Sequence, residues 1–241
     1  MKSNYVLPIT IVVAGALIAG AVFWAGKSGT GTPNGQNGGA ITVKPYDPAT
    51  DHIIGNPNAP VKVIEYLDLE CTHCKAFNTT MHQLMDFYGS TGKVAWITRA
   101  FPLAQIHSKA PEEAQAALCA GDQGGDTEYY KYIDDVFATT PSDNGLDLAE
   151  LPKIAEKHGL DVTKFNECVS SGKFSKLVND QYNEAVKAGG QGTPYLLITV
   201  GTEAVALAGN QPYDSMRAAI DAVLAQLPAS ATQTTGTSVT K

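Results

Sequence analysis

Two cysteines, Cys71 and Cys74, stand three positions apart in the stretch LDLECTHCKAF, residues 67–77, with His73 between them. The stretch follows an apolar run and precedes a helical pattern. Cysteine thiolates are nucleophiles and metal ligands, and a pair at this spacing can also close a short disulfide. The pair could therefore be a redox centre, half of a metal site or a short structural disulfide.

The elements around the pair place it where a strand leads into a helix. The apolar, β-branched run VKVIEYL, residues 61–67, is typical of a buried strand. Apolar residues then recur at spacings of three and four over 77–88, and a glycine follows, as in an amphipathic helix. First-turn N–H groups and the helix dipole would favour a thiolate on Cys71. Cys74, one turn further and more buried, would close a disulfide with it, which favours reversible exchange.

Each polar residue beside the pair has two interpretations, one with a role in the thiol chemistry and one without such a role. If protonated near the Cys71 sulfur, His73 would stabilise the thiolate and make the disulfide more oxidising; the alternative is a solvent-facing histidine without a role. Glu65, Asp68 and Glu70 could tune the thiol pKa or transfer protons. Solvated or capping roles explain these carboxylates equally well, so we do not assign them to the site.

The metal-site interpretation lacks ligands. Zinc takes four ligands, commonly as two close pairs, and the sequence holds no second CxxC and no HxxxH motif. We interpret the other histidines as scattered surface groups: His52, His82, His107 and His158. We therefore predict neither a metal nor a cofactor.

The remaining pattern predicts one α/β domain over residues 51–227, with a helical insertion at about 104–188. The order is strand, helix, strand, a block of helices, a hairpin and a last helix. The further elements are strands over 93–98, 195–200 and 203–208, the last two joined by Gly201-Thr202, and a final helix with apolar residues from Met216 to Leu227.

Residues 1–26 predict a membrane anchor or signal segment. The uncharged run 6–26 follows the basic Lys2. Its apolar centre, Ile9 to Ala25, is at the short end of the roughly 17–25 residues that span a bilayer, and longer than the roughly 7–15 typical of a signal peptide. These lengths favour an uncleaved, single-pass anchor, with the domain on the extracytoplasmic side of the cell membrane, where disulfides persist.

The two other flanking segments are poor in apolar residues. We expect residues 27–50 to be a flexible linker and residues 228–241 to be a disordered tail. The formal net charge of −7 argues against a nucleic-acid surface, which usually shows a basic face.

Cys-x-His-Cys directly after a strand resembles the active site of the DsbA family of thioredoxin-fold oxidoreductases. The similarity continues in the family's order through YLDLECTHC, GKVAWITRAFPL, AALCAGDQG, KFNECVSSGK and GGQGTPYLLI, and covers roughly residues 55–225. The resemblance implies a thioredoxin-like fold with a helical insertion. It also implies a protein disulfide oxidoreductase whose catalytic residues are Cys71, Cys74 and His73.

The same resemblance assigns roles outside the motif. Pro194 would form a cis peptide bond beside the catalytic disulfide, and Thr193 would offer backbone groups to a bound substrate chain. Thr72 stands where the family usually has proline, so the resemblance does not fix the redox potential. Cys119 and Cys168 lie on apolar faces of predicted helices, as buried free thiols or as a disulfide. Some family members carry a disulfide in the insertion, which implies the pair 119–168.

The implied activity is the introduction of disulfides into exported cysteine-containing proteins through the Cys-Thr-His-Cys centre. A membrane quinone-linked thiol oxidase would then restore the Cys71–Cys74 disulfide. One alternative is an isomerase or reductase of the same fold, which normally needs a dimerisation domain or a reducing partner. Another is a non-catalytic thioredoxin-fold chaperone or binding module, although the presence of both cysteines argues against it.

Overall fold

The computed structural model describes residues 41–228. The predicted anchor 1–26, the linker up to residue 40 and the tail from 229 onward lie outside the described residues. Within residues 41–228, no helix is both long enough and apolar enough to cross a membrane.

In the part of the chain that the structure describes, one six-stranded sheet organises the domain. Its strands are β1 (Ile41–Thr42), β2 (His52–Gly55), β3 (Val61–Leu67), β4 (Val94–Ala100), β5 (Tyr195–Val200) and β6 (Glu203–Ala208). The strand order is β1-β6-β5-β3-β4-β2, with β3 parallel to β4 and every other neighbouring pair antiparallel. β3 lies inside the sheet and is largely buried on both faces, as its nearly continuous apolar sequence predicts.

Within residues 41–228, six helices cover the sheet. They are α1 (Thr72–Tyr88), α2 (Ala110–Thr139), α3 (Glu150–Lys157), α4 (Val162–Ser170), α5 (Ser175–Lys187) and α6 (Tyr213–Ala225), and a short 3₁₀ turn follows α1. One hydrophobic core lies between the sheet and helices α1 to α4 and α6, and it also includes Val178 of α5. A smaller core on the opposite face packs against α5. The predicted strands and helices are thus confirmed, with helices α2 to α5 forming the insertion between β4 and β5.

The block of helices predicted for the insertion begins with one long element, α2. α2 is broken at Gly125, whose φ of 68° and ψ of −161° are not helical. Glycine accepts this backbone conformation without steric cost. The break lets the two halves of α2 follow different directions.

Residues 41–50, which we assigned to the flexible linker, belong to the folded domain. β1 pairs with β6, and the backbone carbonyls of Lys44 and Pro45 accept hydrogen bonds from the guanidinium of Arg99 at 3.0 and 3.3 Å. Arg99 is 1% exposed and also binds the Asp51 carboxylate at 2.9 and 2.8 Å. The segment is held largely through one buried arginine, and a hydrophobic pattern does not indicate such contacts.

Candidate active site

The sheet brings the cysteine pair and the proline loop together. β3 ends at Leu67, and a short turn leads from it to Cys71, the N-cap residue of α1. β5 runs antiparallel to β3 with Tyr195 opposite Tyr66. The residues just before β5 therefore lie beside the residues just after β3.

Thr193 and Pro194 occupy this position, and the peptide bond between them is cis. The Cys71 thiol donates to the backbone carbonyl of Thr193, with an Sγ–O distance of 3.5 Å. Cys71 is 7% exposed and Cys74 is fully buried, and both are free thiols. The accessible sulfur is therefore that of Cys71.

The two thiols have opposite pKa shifts. The Cys74 thiol, then the side chain of Thr193 and the backbone N–H groups of Cys74 and His73, stabilise the Cys71 thiolate against the cost of burial and lower the pKa of Cys71 to about 5. Burial raises the pKa of Cys74 well above its ordinary value, and the neighbouring Cys71 adds to that shift. At neutral pH the reduced centre thus holds one thiolate on Cys71 and one thiol on Cys74.

His73 lies on the first turn of α1 with its side chain exposed to solvent. Within residues 41–228 its imidazole has no hydrogen-bond partner, and its backbone N–H stabilises the Cys71 thiolate. The structure therefore places His73 beside the pair with its imidazole exposed to solvent.

Glu65 lies on β3 beneath the cysteines and is 1% exposed. The indole N–H of Trp96 donates to its carboxylate at 3.0 Å. Burial outweighs this hydrogen bond and raises the pKa of Glu65 to about 8, so the carboxyl is mostly protonated at neutral pH. Its charge, when present, contributes to the raised pKa of Cys74. Glu65 is therefore a buried, mostly protonated carboxyl that interacts electrostatically with Cys74.

Asp68 and His107 form a buried pair beside the turn that precedes Cys71. The carboxylate of Asp68 lies 2.9 Å from Nδ1 of His107, and the side chains are 0% and 8% exposed. His107 comes from the segment between β4 and α2. Its prediction as a surface group is wrong, because this segment folds back over the active-site turn.

Glu70 is fully buried directly before Cys71. Its carboxylate accepts from the backbone N–H groups of Asn144 at 2.8 Å and Leu146 at 3.3 Å, and its carbonyl accepts from Asp143 at 3.0 Å. All three donors belong to the loop between α2 and α3. Buried Glu65, Asp68 and Glu70 thus exclude the solvated role considered from the sequence.

Glu113, on the first turn of α2, faces the same region and is also fully buried. Burial, and then the adjacent carboxyl of Glu70, raise the pKa of Glu113 to about 9. Sequence reasoning did not single out this residue, because a glutamate in the first turn of a helix usually has a capping or dipole role.

The second cysteine pair is separate from the first. Cys119 on α2 and Cys168 on α4 form a disulfide with an S–S distance of 2.00 Å and a Cα–Cα distance of 5.9 Å. It joins two helices of the insertion. Among residues 41–228, no group of three or more His, Cys, Asp or Glu side chains has an arrangement that could hold a metal ion.

The chain is similar to curated proteins over about two thirds of its length. It is 29% identical over 154 residues to the Na(+)/H(+) antiporter NhaA 3 of Salinispora tropica, and 28% identical over 162 residues to the Na(+)/H(+) antiporter NhaA 1 of Mycolicibacterium gilvum. These matches cover 64% and 66% of this chain but 22% and 25% of the antiporters. The chain therefore spans a quarter or less of the length of these relatives.

The similarity to solved structures covers a larger share of those chains than the similarity to the antiporters does. DsbA2 of Pseudomonas aeruginosa has 27% identity and a TM-score of 0.60, over 71% of this chain and 93% of that one. Alpha-DsbA1 of Wolbachia pipientis has 26% identity and a TM-score of 0.63, over 73% of this chain and 92% of that one. The oxidised BdbD of Bacillus subtilis shares the fold at 19% identity, with a TM-score of 0.65 over 77% and 98% of the two chains.

The family model described as thioredoxin matches residues 47–222, which include strands β2 to β6, the cysteine pair, the proline loop and the whole insertion. The chain therefore belongs to the thioredoxin family, and its domain has the DsbA-like form of that fold, with a helical insertion between β4 and β5.

Proposed function

We propose that the protein is a thiol-disulfide oxidoreductase that introduces disulfides into exported proteins. The observation that carries this proposal is the asymmetry of the cysteine pair, with a stabilised, accessible Cys71 thiolate above a buried Cys74 thiol. A dithiol whose reduced form is stabilised has a more oxidising disulfide. The likeness to proteins named DsbA supports the same activity.

The proposed cycle begins with the Cys71–Cys74 disulfide. A client thiolate attacks Sγ of Cys71, the bond between the two sulfurs breaks, and Cys74 leaves as a thiolate that takes up a proton from Glu65. A second client thiolate attacks the client sulfur of the mixed disulfide and expels the Cys71 thiolate. The client dithiol is thereby oxidised by two electrons and the cysteine pair is reduced. The low pKa of Cys71 makes it a good leaving group.

Client binding would use the loop before β5. The backbone of Thr193 beside cis Pro194 faces Cys71, so an extended client segment that pairs with this backbone would bring its sulfur to the accessible side of the pair. His73, exposed on the same edge, would contact the bound client or the thiolate.

The cellular setting is part of the proposal. An uncleaved segment within residues 1–26 would tether the domain to the outer side of the cell membrane. There a membrane quinone-linked thiol oxidase would accept two electrons from the reduced pair and restore the disulfide. Exported proteins with unpaired cysteines would be the substrates.

The deciding experiment is the reduction potential of the Cys71–Cys74 couple, measured by equilibrating the full chain against glutathione. We expect a value well above that of thioredoxin, towards about −120 mV. A value near about −270 mV would contradict an oxidase and favour a reductase. Cys119 and Cys168 stay intact in this measurement, and a Cys71→Ser variant identifies the signal of the active pair.

A second experiment separates an enzyme from a binding module. A Cys74→Ser variant cannot resolve the mixed disulfide on Cys71, so it should accumulate covalent client adducts that a reducing agent releases. The matched Cys71→Ser variant, with the buried Cys74 alone, should accumulate far fewer. Equal absence of adducts in both variants would exclude exchange with clients.

A further inference from the structure

Asp68 holds the turn that carries both redox sulfurs. Its carboxylate accepts from the backbone N–H groups of Glu70 at 2.8 Å and Leu103 at 2.7 Å. Its backbone carbonyl accepts from the N–H of Cys71 at 3.1 Å, and its backbone N–H donates to Sγ of Cys74 at 3.5 Å. The positions of Cys71 and Cys74 therefore depend on a carboxylate that is completely buried.

A buried carboxylate needs a countercharge or several hydrogen bonds to be stable. The third partner of the Asp68 carboxylate is Nδ1 of His107 at 2.9 Å. The opposite edge of the same imidazole meets the largely exposed carboxylate of Asp143, with an Nε2–Oδ1 distance of 3.6 Å. His107 thus lies between two carboxylates, with Nδ1 in hydrogen-bond contact with Asp68 and Nε2 within ion-pair distance of Asp143.

We propose that His107 is a positioning residue of the redox centre: held as an imidazolium between Asp68 and Asp143, it stabilises the Cys71 thiolate and thereby makes the disulfide more oxidising. This inference rests on the proposed function and names a determinant of the same site.

The charges around His107 are consistent with this role. Burial disfavours the imidazolium, but Asp68, Cys71 and Asp143 together outweigh burial and raise the pKa of His107. The other charged or titratable groups near the site are Glu65 on β3, Glu70 on the active-site turn, His73 and Lys75 on α1, Lys109 beside His107 in the sequence and Glu113 on α2. The ammonium group of Lys75 donates to the backbone carbonyl of Thr140 at 2.7 Å. Lys109 is directed to the backbone carbonyl of Leu146. His107 is therefore the cation that faces Asp68.

The coupling between His107 and Cys71 depends on the redox state. Reduction by two electrons breaks the disulfide and leaves a thiolate on Cys71 and, with one proton taken up, a thiol on Cys74. The new thiolate favours the imidazolium, and by reciprocity the imidazolium favours the thiolate to the same extent. As pH rises through the pKa of His107, the histidine loses its proton and this stabilisation of the reduced form is lost.

His107→Asn tests the proposal on the full chain, because the asparagine amide retains a donor near the position of Nδ1 and lacks the charge. His158→Gln is the matched control, since Nε2 of His158 lies 2.8 Å from Asp135 within the insertion. The Cys71 pKa is read from thiolate absorbance at 240 nm in the reduced proteins. We expect His107→Asn to raise it by about one unit, as loss of a neighbouring charge does.

The same substitution should change the equilibrium constant with glutathione about tenfold, equivalent to about 30 mV towards a more reducing potential. His158→Gln should leave both quantities at the wild-type values. Equal Cys71 pKa values in the wild type, His107→Asn and His158→Gln would overturn the role of His107 while leaving the proposed function intact. An ordinary Cys71 pKa in the wild type itself would overturn both.

A measurement on the wild type decides the question even if His107→Asn does not fold. The imidazole protons of His107 can be titrated by NMR in the reduced and oxidised full chain, with His158 as the internal control. We expect a higher pKa for His107 in the reduced state and no redox-dependent change for His158. Identical titrations of His107 in both states would overturn the proposal.

Discussion

The carboxylate of Glu70 accepts a hydrogen bond from the backbone N–H of Asn144 at 2.8 Å and so joins the residue before Cys71 to a loop of the helical insertion. The loop has an unusual backbone, because Ser142, Asp143 and Asn144 have φ values of 68°, 52° and 66°. Successive residues of this kind turn their N–H groups towards a common point and form a site for an anion. Here that anion belongs to the active-site turn.

Replacing Glu70 with alanine should therefore destabilise the fold. Glu70→Ala removes the acceptor of the Asn144 and Leu146 N–H groups, and a buried donor without a partner costs about 1–3 kcal/mol. We expect the free energy of unfolding in urea to fall by about 2–4 kcal/mol. Glu112→Ala, which truncates an exposed glutamate of α2, is the control. Equal stability of the two variants would show that the loop does not depend on Glu70.

Glu113 should make stability fall as pH rises. Its pKa is about 9 in the folded protein against an ordinary value of 4.5, so between these pH values the native state binds more protons than the unfolded state. The stability present below about pH 4.5 is lost progressively up to about pH 9.

Glu113→Gln removes this titration and keeps the size of the side chain. Relative to the wild type, the variant should gain about 3 kcal/mol in unfolding free energy between pH 4.5 and pH 7. Urea unfolding at several pH values measures the gain, and Glu112→Gln supplies the baseline. A difference between wild type and Glu113→Gln that stays constant with pH would mean that Glu113 titrates normally in the native state.

The elements that position the cysteines could be predicted because their signals are local. An apolar strand, a Cys pair and a helical stripe follow one another within residues 61–88, and the structure has them as β3 and α1. The strand β2 was missed because HIIG is short, pairs only with β4 and carries a polar and a glycine end. The partial burial of β2 is due to neighbouring elements, and the sequence of β2 itself carries no signal of them.

The rest of the site is assembled from distant segments. Thr193 is 122 residues from Cys71, so its place beside the sulfur came from the family resemblance and not from a local pattern. His107 and Glu113 are buried because the segment after β4 and the loop after α2 converge on the active-site turn. Single polar residues in such segments look solvated in a sequence. Glu65 did carry a signal, since it is an acidic residue inside the apolar run of a central strand.

Glu65→Gln should slow the first step of exchange. At neutral pH the protonated Glu65 is the buried acid near Cys74, and the glutamine amide cannot donate its proton to the departing thiolate. We expect the rate at which a reduced peptide attacks the oxidised pair to fall about tenfold or more at pH 7. Single-turnover kinetics between pH 6 and 9 measure this rate.

The advantage of the wild type over Glu65→Gln should diminish above about pH 8, where Glu65 loses its proton. Glu203→Gln, on the hairpin strand β6, controls for the loss of a strand carboxylate. Parallel pH profiles for the wild type and Glu65→Gln would exclude proton transfer from this residue.

The Cys119–Cys168 disulfide should stabilise the insertion without setting the chemistry of the active pair. It closes a sequence separation of 49 residues, for which the chain-entropy estimate is roughly 4 kcal/mol. Cys119→Ala/Cys168→Ala should therefore lose up to about 4 kcal/mol of unfolding free energy in urea, with the active pair kept reduced in both proteins. The reduction potential of Cys71–Cys74 should stay at the wild-type value, because the second disulfide joins α2 to α4 away from the active-site turn. A shifted potential in a folded double variant would reveal coupling between the two cysteine pairs through α2, whose first turn carries Glu113 beside Glu70.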